Sequence, residues 1–228
     1  MPILGTRALA AIAMSATLWL VPTGVGAQSF DRDTPENSVS PGDYGGIGLL
    51  QMRNARFGPD GLFSIGYSRV EPYKRWGLSI HILPWLETTF RYTEVRNRLF
   101  SDNLSFSGLQ AYKDRGADIK VRLLKESDYL PAVAIGLQDG LGTGLFAGEF
   151  LVASKRYRDL DFSLGLGWGY VGSRGGYKNP MRILSEDFGT RTGISVFGGT
   201  APLESLFSGA EVGIFGGIEY RTPIRGLT

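Results

Sequence analysis

The sequence predicts an all-β chain, an antiparallel outer-membrane β-barrel that crosses the membrane with strands and not with helices. Three observations lead there. Segments of alternating apolar and polar residues recur from about residue 62 onward. Several reach the roughly 9–11 residues that a tilted strand needs to span a bilayer, where strands of ordinary globular sheets average about 5–6. The connections between them also alternate between short and long, as the two ends of such a barrel do.

The N-terminus reads as an export signal. Arg7 supplies a positive charge, residues 8–21 are almost wholly apolar, and Val25-Gly26-Ala27 places small residues at a cleavage site. Residues 1–27 are therefore expected to be a cleaved signal peptide. Residues 28–42 are polar and carry Pro35 and Pro41, and residues 28–60 are expected to form an irregular periplasmic leader. Residues 61–228 are expected to form the barrel domain. No later run is long and apolar enough for a membrane helix.

About nine strands are expected by alternation: 62–70, 75–82, 86–95, 117–123, 132–138, 145–155, 160–170, 190–197 and 212–221. In 75–82, Trp76, Leu78 and Ile80 oppose Arg75, Ser79 and His81. In 160–170, Phe162, Leu164, Leu166 and Trp168 oppose Asp161, Ser163, Gly165 and Gly167. The segment 145–155 is imperfect, because Leu151 falls on the face of Glu149. The glycines of 160–170 either clear space for bulky neighbours or line a passage.

The polar faces define a candidate lumen. Arg75, His81, Glu87, Arg91, Asp118, Lys120, Arg122, Glu149, Asp161, Glu219 and Arg221 are expected to line it, most of them paired across strands. The short connections 83–85, 126–130 and 157–159 fall at one end, taken as periplasmic. The connections 71–74, 96–116, 139–144 and 171–189 fall at the other. Aromatic girdles are expected at both interfaces, from Trp85, Tyr129 and Tyr157 at the short-turn end and Trp76, Trp168 and Tyr170 at the long-loop end. An even strand number is needed to close a single-chain bacterial barrel, so an incomplete barrel and a longer gene are expected.

Candidate chemistry is sparse. The chain has no cysteine, hence no disulfide, no thiol metal site and no cleavage-site cysteine for a lipid anchor. On that ground the protein is expected not to be a lipoprotein. Charge is balanced, with 24 Lys+Arg against 22 Asp+Glu, which argues against a nucleic-acid partner. His81 is the single histidine. It is read as a hydrogen-bonded filler, since nothing marks Ser79 beside it as an activated nucleophile. Residues 139–144 have the look of a phosphate loop but lack the following helix and Lys-Ser/Thr. Asp118 and Glu149 are glycosidase candidates only by default. No catalytic residue, metal or cofactor is expected.

Several motifs then point to a family. Gly42-Asp-Tyr-Gly-Gly-Ile-Gly-Leu-Leu-Gln-Met52, Pro59-Asp-Gly61 and Gly66-Tyr-Ser-Arg-Val70 come in order with Leu83-Pro-Trp-Leu-Glu-Thr-Thr-Phe-Arg-Tyr-Thr93, Tyr112-Lys-Asp-Arg-Gly116 and Tyr129-Leu-Pro131. Gly142-Thr-Gly-Leu-Phe146, Gly165-Leu-Gly-Trp-Gly169, Asn179-Pro180 and Gly216-Gly-Ile-Glu-Tyr220 follow. Together they resemble the YjbH-type exopolysaccharide biosynthesis proteins, from about Gly42 to the last residue. The resemblance implies an outer-membrane barrel in an operon-encoded exopolysaccharide system, and a chain much longer than this one. It carries over no catalytic residues. Some members look like lipoproteins, a feature not expected to transfer here. The function expected is passive export or assembly of an extracellular polysaccharide. Its partners would be outer-membrane lipid, the polymer and other proteins of the operon. An enzyme modifying polysaccharide or lipid, and a non-conducting structural barrel, are the alternatives.

Overall fold

The computed structural model describes residues 39–173, 176–191, 199–200 and 205–222. The expected signal peptide, the first part of the leader and nearly all of the expected strand 190–197 lie outside these residues.

A small N-terminal hairpin, β1 (Gly48–Leu49) and β2 (Met52–Arg53), precedes the main sheet. The sheet is an antiparallel meander of β3 (Phe63–Val70), β4 (Tyr73–Leu83), β5 (Leu86–Leu99), β6 (Ala111–Leu124), β7 (Ala132–Gly142), β8 (Gly148–Tyr157) and β9 (Leu160–Gly169). The short β10 (Tyr177–Lys178) and β11 (Gly199–Thr200) follow, and β12 (Glu211–Tyr220) pairs with β9. The order across the sheet is β10-β12-β9-β8-β7-β6-β5-β4-β3, with β11 added at the end of β7. Among the described residues no strand covers the outer edge of β3, so the sheet is not closed.

Alternation placed these strands because each has one apolar and one polar face. The exception lies at the far end of the β5–β6 hairpin. Residues 96–116 were expected to be a loop, but β5 continues to Leu99 and β6 begins at Ala111. The face that is apolar elsewhere carries charge there, as in Glu94, Lys113 and Arg115, so the period-2 signal fades although the backbone ladder goes on. Only residues 100–110 connect the two strands, through the one-turn helix α1 (Leu104–Ser107), whose N-cap is Asn103.

The polarity of the sheet is inverted relative to a water-soluble one. Arg75, Ser79, His81, Glu87, Thr89, Arg91, Thr93 and Lys120 are buried, whereas Ile65 is 77% exposed, Leu164 65% and Phe90 50%. A soluble protein buries its large apolar residues and rarely buries charges unless they are paired. The apolar face carries its own cross-strand contacts. Trp76 lies between Tyr67 and Tyr92 on neighbouring strands, with ring centroids 5.4 and 5.6 Å away.

Two contacts show that the sheet is rolled. Ser40 donates to Glu219 on β12, and the carbonyl of Asp43 accepts from Ser68 on β3. Seven inter-strand steps of about 4.8 Å would hold β3 and β12 about 34 Å apart in a flat sheet. Three residues of extended chain span at most about 11 Å. One short segment reaches both edge strands only because the sheet curls around it, with the polar face on the concave side.

Candidate functional site

The concave face is filled by residues 39–58. This stretch was expected to be an irregular leader, and apart from its tiny hairpin it has little regular structure. What alternation did not show is that it is held against the wall. Tyr44, Ile47, Arg53, Asn54, Ala55 and Phe57 are all buried. The Ile47 N–H donates to Glu87 Oε1 at 3.2 Å, the Ala55 N–H to Ser154 Oγ at 2.8 Å, and the Gly58 N–H to His81 Nε2 at 3.1 Å. Lys120 Nζ donates to the carbonyls of Ile47 and Arg56, each at 2.9 Å. Strand side chains thus satisfy backbone groups that an irregular buried segment cannot pair for itself. Gly45, at φ +97°, passes so close to Gly77 that a Cβ there would lie 2.8 Å from the Gly77 Cα. Only glycine tolerates both the dihedral and the approach.

Around this segment the charges pair in three groups. In the first, Glu87 Oε2 lies 3.0 Å from Lys120 Nζ. In the second, Arg91 holds Asp118 at 2.7 Å, Asp118 accepts from the Asp139 N–H, and Arg53 donates to Gln138. In the third, Arg56 bonds both oxygens of Asp161, each at 2.7 Å, and also meets Glu126. Burial works against the Arg56 cation, but its bonds to Asp161 and Glu126 outweigh it and hold it above the usual guanidinium range. Arg75 is different. It is 2% exposed and lies over the rings of Tyr44 and Tyr73, with Nε and Nη1 unbonded among the described residues.

The sheet therefore brings most of the expected lining residues together. Arg75, His81, Glu87, Arg91, Asp118, Lys120, Arg122 and Asp161 lie on the concave side, with Glu219 reached by Ser40. Arg221 follows β12, where its backbone N–H donates to the Asp159 carbonyl.

Glu149 departs from the expectation. Its cross-strand partners are Leu137 and Trp168, on the convex face shared with Leu151. There it is 1% exposed and bonds Arg191 through both oxygens. The misfit of Leu151 in the alternation was the sign of this. Asp118 and Glu149 thus lie on opposite faces of the sheet, and the default glycosidase pair is not assembled.

Two girdle residues are corrected as well. Trp168 is 3% exposed, packed against Phe207 and donating from Nε1 to Asn179 Oδ1. Asn179 in turn ties down the carbonyls of Phe188, Phe207 and Gly209, so this part of the convex face is roofed over by chain. Tyr170 packs edge-on against Phe146, with ring centroids 5.0 Å apart. Burial, then the neighbouring Tyr44, push its phenol above the usual range. Trp76, Trp85, Tyr129 and Tyr157 are exposed.

The glycines on the concave side clear space. A Cβ at Gly136 would run into the Phe150 ring and one at Gly165 into Phe215. These rings join a small apolar cluster with Ala55, Phe57, Ala132, Ala134 and Val152. Among the described residues no three His, Asp or Glu side chains are grouped to hold a metal ion.

Sequence reasoning missed Tyr44, Arg53 and Arg56, because alternation ranks strands and the only strands in this segment are the two-residue β1 and β2. Their nearness to Gly42, Gly45 and Gly46 was the available signal, since glycine-rich chain can approach another backbone closely.

These features define an all-β protein with an antiparallel meander of inverted polarity, its concave face filled by its own N-terminal segment. The family model for "Exopolysaccharide biosynthesis protein YbjH" matches residues 40–228, and the chain belongs to this YjbH family. It is 46% identical over 207 residues to the protein named "Uncharacterized lipoprotein YjbH" of Escherichia coli (strain K12), covering 90% of this chain and 30% of that relative. The chain thus spans about a third of the length of the relative it matches. No solved structure matches it. The relative's name overturns one expectation. The missing cysteine was taken to exclude a lipoprotein, yet a relative this similar is named one. Lack of that residue in this sequence is not a sufficient ground, and the non-lipoprotein assignment is withdrawn.

Proposed function

We propose that this exopolysaccharide-family chain forms part of the wall of an outer-membrane β-barrel that passively exports or assembles an extracellular polysaccharide. The observation that carries the reading is the inverted polarity of the sheet. Its convex face offers Ile65, Trp76, Phe90, Leu164 and Ile218 to the surroundings, and its concave face gathers the charges. In water, that much exposed apolar surface marks a binding or membrane surface. In a bilayer it is the normal exterior of a spanning barrel. An open edge in hydrocarbon would leave unpaired backbone groups that cost several kcal/mol each. The edge of β3, uncovered among the described residues, therefore calls for further strands.

A passive role fits a wall of many paired, distributed polar groups, since a polymer must be bound weakly enough to be released. Polysaccharide and other proteins of the same operon are the partners this reading implies. Deleting the intact gene should lower extracellular polymer while its precursors still form inside the cell. Normal secretion of a chemically altered polymer would replace export with modification.

A further inference from the structure

The short turns at one end of the rolled sheet enclose a cleft of about 740 Å³ between the inner segment and the wall. Six basic side chains and three acidic ones line it. Three of the cations are already engaged: Arg56 and Arg156 by Asp161, and Lys155 by Glu126. Arg122, Lys125 and Arg158 have no carboxylate partner among the described residues. The Arg122 guanidinium lies 4.5 Å from the centre of the buried Phe57 ring, which orients the planar fork without occupying its hydrogen bonds. Arg158 lies 5.4 Å from the centre of the Tyr157 ring. Tyr157 is 63% exposed, so an aromatic surface stands beside the free cations.

We infer that this cleft is a binding site for an acidic saccharide, with Arg122 taking the carboxylate. An oriented guanidinium matches a carboxylate through two parallel N–H···O bonds. Lys125 and Arg158 add point charges at the rim, and the Tyr157 ring gives the apolar face of a sugar something to pack on. A neutral glycan would leave three cations without anions, so the site selects charged polymer over neutral polymer. The inference rests on the polysaccharide reading only for the source of the ligand.

The test is calorimetric titration of the full-length protein, purified from the intact gene in detergent micelles, with trigalacturonate, maltotriose and inorganic phosphate. The variants are Arg122→Gln, the double variant Lys125→Gln/Arg158→Gln, and Arg98→Gln at the opposite end of the sheet. Trigalacturonate should saturate and weaken with salt. Its affinity should fall at least about tenfold in Arg122→Gln and in the double variant, as loss of charge-assisted hydrogen bonds requires. Arg98→Gln should bind like the parent. The double variant alters only rim residues, so it remains informative if Arg122→Gln disturbs the packing of Phe57. Equal binding of maltotriose, unchanged affinity in the double variant, or competition by phosphate as effective as the uronate would each overturn the assignment. Binding is read on the purified protein, so its failure is distinct from normal secretion in a deletion strain, which would refute the export reading.

Discussion

Lys120 and Glu87 are direct cross-strand partners on β6 and β5, and the Lys120 ammonium stands 3.0 Å from Glu87 Oε2 with both side chains almost fully enclosed. The same ammonium holds the carbonyls of Ile47 and Arg56, and the same carboxylate accepts from the Ile47 N–H. The pair is thus a clamp on the N-terminal segment as well as a link between strands.

Breaking that clamp from one side leaves the other charge buried. Lys120→Met should destabilise the protein by about 3–5 kcal/mol, the cost of orphaning one member of a buried pair. Glu87→Gln should cost less, since the amide can still accept from Lys120. The double variant should be more stable than the sum of the two losses. Denaturant midpoints of the three proteins check this. Amide exchange at Ile47 should accelerate in each. Additive losses with unchanged exchange at Ile47 would mean that the pair does not hold the segment.

His81 is 1% exposed, and its Nε2 accepts from the Gly58 N–H. His81→Ala should cost about 1–3 kcal/mol by leaving buried polar groups unsatisfied. Polysaccharide secretion per assembled molecule should not change. Loss of secretion at a normal protein level would make His81 a participant in chemistry.

The strand faces were legible in the sequence because the strands from β3 to β9, β8 excepted, pair a polar row with an apolar one. Trp76 against Arg75, and Leu164 against Ser163, are enough to set register. The inner segment was not legible. Tyr44 and Arg53 acquire meaning only when Arg75, Arg91 and Gln138 arrive from distant strands. The roofing of Trp168 was hidden for the same reason, since Asn179 reaches it through a loop with no periodicity. Glu149 shows the middle case: the disagreement with Leu151 was visible, but its partner Arg191 was not.

Glu126 lies in the turn after β6, where burial raises its carboxyl. The Arg156 N–H, Arg56 and Lys155 more than offset this and hold it below the usual 4.5. A depressed carboxyl stabilises the fold above its unfolded value and loses that contribution as pH falls through the folded one. Stability should therefore drop as pH falls below about 4.5. In Glu126→Gln this component of the pH dependence should be missing. Melting temperatures between pH 3 and 6 for both proteins test it, and identical profiles would rule the contribution out.

The two ends of the sheet should face opposite sides of the membrane. Ser105 lies in α1 at the long-loop end and Ser127 in a short turn at the other. A single cysteine at Ser105 should react with an impermeant thiol reagent on whole cells, and one at Ser127 should react only after lysis. The reverse pattern would invert the orientation.

Leu164 separates a membrane wall from a soluble sheet most directly. It projects from β9 on the convex face, is 65% exposed, and neighbours Ala153 on β8 and Gly216 on β12. If that face met water, Leu164→Arg would exchange one exposed side chain for a better-hydrated one, and stability would move by no more than about 0.5 kcal/mol. If it meets hydrocarbon, an arginine near the bilayer midplane costs about 2–4 kcal/mol, falling towards zero at the interfaces. Leu164 lies near the middle of its strand, Leu160–Gly169, so the larger penalty is expected. Tyr157→Arg, in the turn region at the strand's end, should cost much less. Reversible denaturation from lipid vesicles gives both numbers, and the heat-modifiable band on a gel reports assembly in cells. A Leu164→Arg protein as stable as its parent, recovered without detergent, would remove the bilayer from the account of this sheet.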